Sequence, residues 1–185
     1  MASLDRTDTR RLALRGVLVA AAMVLSWVEA QIPAFFAVPG MKLGLTNAVV
    51  LTALYLLSGR DAMVINLVRI LLVGFTFGSV SAMLYSLAGG LLSGAVMIVL
   101  KRFGPFGPVG VSVAGGISHN IGQIAVAVAV LGSHYVLYYL PLLWLSGLAA
   151  GTLIGLLCGS LLRRIPAAAV RTARTEGRRK EKEEK

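Results

Sequence analysis

Runs of apolar residues separated by short gaps rich in glycine, proline and charge make up most of the chain. Six such runs cover about Leu12–Ile32, Leu43–Ser58, Ala62–Phe77, Ala82–Leu100, Val109–Leu131 and Tyr135–Leu162. A helix rising about 1.5 Å per residue needs about 20 residues to cross a hydrocarbon core. Most of the runs approach that length, and Leu43–Ser58 is short for a full crossing. The pattern predicts an all-α polytopic membrane protein, a six-transmembrane-helix bundle over residues 12–162. Residues 1–11 form a polar, basic tail, and residues 163–185 form a charged, partly disordered one.

Within the runs, small residues recur at helical spacing. Ala22, Ser26 and Ala30 share one face of the first span, Ser86, Gly90 and Gly94 one face of the fourth, and Gly147, Gly151, Gly155 and Gly159 one face of the sixth. Small side chains let helix backbones approach closely, so each ridge marks a surface for another helix.

Composition sharpens this picture. Hydrophobic residues make up 57% of the chain and charged ones 14%, with a mean hydropathy of +0.81. A soluble domain carries about 25% charged residues. The net charge of +10 does not indicate a nucleic-acid partner: nine of the eighteen basic residues lie from Arg163 onward and four precede Val17. Basic residues that flank spans orient a protein in the bilayer. With both termini cytoplasmic, Arg60, Lys101, Arg102 and Arg163 fall inside while Lys42 and His134 fall outside. The expected location is therefore the cell membrane, with both ends in the cytoplasm. The first apolar run is longer than a signal-peptide core, and Gln31-Ile32-Pro33 is a poor cleavage site.

Polar residues inside apolar runs are expensive and are candidates for function. The stretch from Pro39 to Asn47 reads as a turn leading into the second span. It places Lys42 and Asn47 at a helix start, where free N–H groups and the helix dipole favour anions. The alternative is that Lys42 reaches the lipid headgroups and Asn47 bonds a neighbouring helix. In the third span Asn66, Arg69 and Thr76 fall on one stripe. Arg69 either pairs with Glu29 or receives an anionic group of a substrate. In the fifth span a single polar residue would serve helix packing, but His119, Asn120 and Gln123 together, beside Ser118, exceed what packing requires and are read as facing a ligand or ion, with helix packing as the alternative.

Other chemistries find no residues. Cys158 is the single cysteine, so a disulfide within the chain is excluded. A zinc site has only His134 to add to His119. The acids Asp5, Asp8, Glu29 and Asp61 are scattered, and no aspartate-rich motif exists to hold magnesium. No phosphate-binding glycine loop with its lysine and hydroxyl is present. No metal or cofactor is expected, and the chain is not expected to be an enzyme.

Four segments together carry a resemblance: Pro39-Gly40-Met41-Lys42-Leu43-Gly44-Leu45-Thr46-Asn47, Arg69, Tyr85-Ser86-Leu87-Ala88-Gly89-Gly90 and His119-Asn120-Ile121-Gly122-Gln123. With them the chain, over about Leu12–Leu162, resembles the Gx transporter family. That family is often labelled heptaprenyl diphosphate synthase component I and is similar to the S components of energy-coupling factor transporters. The resemblance implies a six-helix bundle that captures a small vitamin-like or precursor molecule from outside. It would pass that molecule to a transmembrane coupling protein with cytoplasmic ATPase subunits. The coupling protein would meet the first helix at Ala22, Ser26 and Ala30, or at Gly16 and Ala20. A different class of role is a non-catalytic membrane partner of an isoprenoid, quinone or redox system. Under the transport reading, Lys42, Asn47, Arg69, His119, Asn120 and Gln123 converge on one outward-opening pocket.

Overall fold

A computed structural model describes residues 6–31 and 44–165. Six α-helices follow in order: α1 Arg6–Gln31, α2 Leu45–Leu56, α3 Gly59–Thr76, α4 Val80–Phe103, α5 Pro108–Leu131 and α6 Leu140–Arg164. A short 3-10 helix, His134–Tyr139, leads into α6. The helix ends follow from local chemistry. Ser58 and Ser79 cap α3 and α4 by accepting from the N–H groups of Asp61 and Ala82, at 3.2 and 3.1 Å. Pro108 opens α5 where no N–H is needed, and Gly132, at φ 60°, closes it.

The all-helical architecture is as the apolar pattern predicts, and the helices differ in reach. Segments Arg11–Gln31, Val80–Phe103, Pro108–Leu131 and His134–Arg164 are long and apolar enough to cross a membrane. The short apolar α2 has 12 residues, which span about 18 Å. The expected second span, Leu43–Ser58, is therefore a helix of partial depth. Burial explains how it is tolerated: Val50, Leu51, Ala53 and Leu54 are all at most 2% exposed. It packs against α1, α3 and α6 and needs little lipid contact of its own. α3 has 18 residues and carries Arg60, Asp61 and Arg69.

The core forms around α2. Its buried leucines and valines meet Ile65 of α3, Met97 of α4, Val111 of α5, and Ile154 and Cys158 of α6. The outer faces are apolar and exposed, as at Val24, Trp27, Phe75, Leu145 and Leu156, which is the surface of a helical membrane bundle.

Two glycine ridges perform the packing expected of them. A Cβ on Gly151 would lie 2.7 Å from the Val113 Cα, and one on Gly147 would lie 3.0 Å from the Gly116 carbonyl carbon and oxygen, so α5 and α6 touch backbone to backbone. Gly159 has nothing within 4 Å, and the ridge ends before it. Gly90 and Gly94 of α4 rest on Asn66, Ile70 and Met63 of α3.

At one end of the bundle, α1, α2, α3 and α4 are tied by charge. Asp61, in the first turn of α3, is fully buried and forms ion pairs with Arg11 and Arg15 of α1. Ser58 donates to the same carboxylate at 2.8 Å. Burial alone would raise the Asp61 carboxyl, but hydrogen bonds from Arg11, Ser58 and Arg15 and the Arg11 charge hold it below the usual carboxylate range. Beside this cluster Lys101 donates to the Leu54 carbonyl and lies 4.9 Å from the centre of the Tyr55 ring.

Candidate functional site

At the opposite end of α2, a cavity of about 470 Å³ opens between all six helices and reaches the α3–α4 turn at Phe77, Gly78 and Ser79. Its volume lies in the range of small-molecule sites, about 300–1,000 Å³.

One wall is built where α1 ends and α2 begins. Gly44 has φ 73°, a conformation open to glycine at no steric cost, and it precedes the first turn of α2. Its N–H donates to Glu29 Oε1 at 2.5 Å, and Thr46 Oγ1 donates to Glu29 Oε2 at 3.3 Å. Ser26 shares a hydrogen bond of 3.2 Å with Thr46. The anion-binding corner expected at this helix start thus holds an anion from the chain itself, the Glu29 carboxylate, stabilised by a free helix-terminal N–H and the α2 dipole.

Arg69 of α3, which is 8% exposed, lines the same cavity. Its Nη2 donates to Asn66 Oδ1 at 2.5 Å, and Asn66 Nδ2 in turn donates to the Gly90 carbonyl at 3.1 Å. This chain of bonds aims the guanidinium and leaves Arg69 Nε buried with no acceptor among the described residues. Glu29 and Arg69 line the same cavity, and both ion pairs among the described residues belong to Asp61. The Glu29–Arg69 pair, one of the two readings of Arg69, is therefore not formed, although their charges attract.

Of the six residues expected to converge, Asn47, Arg69, His119 and Asn120 line this cavity. Lys42 lies outside the described residues. Gln123 is buried at 9% exposure but does not line the cavity, because it sits one turn farther along α5 than His119. Asn120 serves two purposes, since its Nδ2 also donates to the Leu143 carbonyl of α6. Ser118 bonds the carbonyls of Ala114 and Gly115 on its own helix, and Thr76 that of Leu72 on an exposed face. Neither contributes to the cavity.

The face expected to meet a coupling helix needs correction. Ala22 is 0% and Ser26 8% exposed, because α2 and α3 of this chain cover that side of α1. Ala30 is exposed and lines the cavity. Gly16 has nothing within 4 Å of a Cβ built on it. Ser112 of α5 and Ser146 of α6 also line the cavity without having been singled out. As lone serines in apolar helices, they carry no signal until the backbone places them. Among the described residues, no three His, Cys, Asp or Glu side chains cluster as metal ligands.

The family model described as heptaprenyl diphosphate synthase component I matches residues 18–161. The chain belongs to that family. Every described residue that lines the cavity lies inside the family match, whereas Arg11 and Arg15 precede it. The component I region thus contains the complete described cavity, and the arginines of the Asp61 cluster reach it from outside. No curated protein and no solved structure matches the chain.

Proposed function

We propose that this chain is a membrane-embedded, non-enzymatic binding subunit of the S-component kind, which captures a small molecule bearing an anionic group. The observation that carries the reading is the Arg69 guanidinium, buried in a cavity wall with its Nε left without an acceptor among the described residues. A buried charge with an open donor is costly, and a carboxylate or phosphate on a ligand would complete it with charge-assisted hydrogen bonds. Arg11, Arg15, Arg60, Lys101, Arg102, Arg163 and Arg164 lie at helix ends on the side away from the cavity mouth. By the positive-inside rule this distribution supports a cavity mouth outside the cell membrane and both termini in the cytoplasm. The absence of a nucleotide-binding loop from the sequence supports a separate coupling protein with ATPase subunits.

The family description favours a second reading, a non-catalytic partner of prenyl diphosphate synthesis. Native mass spectrometry of the purified protein separates the two. A bound polar small molecule that disappears in Arg69→Met supports the binding subunit. A prenyl diphosphate, or stimulation of a prenyl synthase by the purified chain, supports the second reading. Cysteines introduced at Gly78 and Arg102 test the orientation: Gly78→Cys is expected to label from outside and Arg102→Cys only after permeabilisation.

A further inference from the structure

We infer that the cavity takes a ligand carrying two opposite charges, an anionic group held by Arg69 and an ammonium or similar cationic N–H group held by Glu29. The inference rests on the reading of the cavity as a binding site and narrows the class of molecule it accepts.

The satisfaction of each charge leads to it. A guanidinium has five N–H donors, and a carboxylate has about four acceptor positions. The hydrogen bonds of Arg69 to described residues reduce to one, from Nη2 to Asn66, while Nε is buried without an acceptor. Among the described residues Glu29 accepts from the Gly44 N–H and the Thr46 hydroxyl, one bond to each oxygen, which leaves a lone pair on each oxygen without a described partner. Both side chains line one cavity and neither closes on the other.

A ligand with a single negative charge would complete Arg69 but bring a second anion into a space that already holds Glu29. A single positive charge would meet the converse difficulty at Arg69. A molecule with both charges and no net charge leaves every charge opposite its complement and adds no net charge to a site of low dielectric. Ile70, Val73, Met83, Ala150 and Ile154 give the same cavity apolar wall, and Ser86, Ser112 and Ser146 add hydroxyls to it. Glu29 is fixed before any ligand arrives, because the Gly44 N–H and Thr46 hydroxyl hold both carboxylate oxygens, and preorganised charges of this kind select by position as well as by sign.

The probes are ω-amino acids of stepwise longer chain, each paired with the fatty acid and the alkylamine of the same length. Binding is read by thermal unfolding of the full-length protein in detergent and by titration. Stabilisation is expected to peak at one ω-amino acid length, with the matched acid and amine each binding roughly ten- to a hundredfold more weakly. Glu29→Gln keeps an oxygen to accept from the Gly44 N–H and should erase the advantage of the amino acid over the acid. Arg69→Met should abolish binding of both. If acids bind as tightly as the amino acids at every length, and binding depends on Arg69 but not on Glu29, the two-charge inference is overturned while the anion-binding function stands. If no probe stabilises the folded wild-type protein, both are overturned.

Discussion

The two ends of α2 hold buried charge in opposite ways. At one end Asp61 is enclosed by Arg11, Arg15 and Ser58, so a fully buried carboxylate has its partners inside the chain. At the other end Arg69 has, among the described residues, Asn66 alone, and Glu29, which lines the same cavity, is bonded to Gly44 and Thr46 instead. A satisfied buried charge fixes helices in place. An incompletely satisfied one is retained against its own cost, and that is the mark of a site completed by something else. The Asp61 end therefore supports the fold, and the Arg69 end is the one to which the proposed binding role is assigned.

Variants break this contrast if they move the wrong property. Asp61→Ala leaves two arginines facing a hole, and breaking a buried pair costs about 3–5 kcal/mol. Its unfolding temperature in detergent should fall sharply, and ligand bound at temperatures where it stays folded should be unchanged. Arg69→Met should do the reverse. It should remove about 1.5–3 kcal/mol of binding, as the loss of a charge-assisted bond does, with unfolding of the ligand-free protein unchanged or raised. Equal losses of stability in the two variants would erase the distinction between the ends.

A subtler test uses pH. The Asp61 carboxyl is held below its ordinary value, so its contribution to stability is present above the unfolded carboxylate pKa of about 4 and is lost as pH falls through the depressed folded value. Acid unfolding of wild type should show this loss, and Asp61→Asn should flatten it. The smallest effect is expected at Gln123, buried but outside the cavity: Gln123→Ala should change stability by about 1 kcal/mol and leave affinity intact.

The sequence made the helices legible because lipid demands long apolar runs and closed backbone hydrogen bonding, and glycines at fourfold spacing mark close seams. Arg69, His119, Asn120 and Asn47 were legible for the same reason: polar groups stand out against an apolar background. Three things were hidden. The shortness of α2 was legible, but its wrapping by α1, α3 and α6, which lets so short a helix stand, is recorded by no local pattern. The inward turn of Ala22 and Ser26 is one, since spacing defines a face but not its neighbour. The partner of Glu29 is another: an acid near Pro33 and a cation in another helix suggest a pair, yet the backbone N–H of Gly44 reaches the carboxylate first.

The seams between helices are also of two kinds. α5 and α6 meet through bare backbone at Gly116, Gly147 and Gly151, where a shift of an ångström would collide main chain with main chain. α1 and α2 are joined at the cavity end by hydrogen bonds through Ser26, Thr46 and Glu29, which can exchange partners one at a time. Hydrogen exchange should therefore be faster at the start of α2 than along the glycine seam.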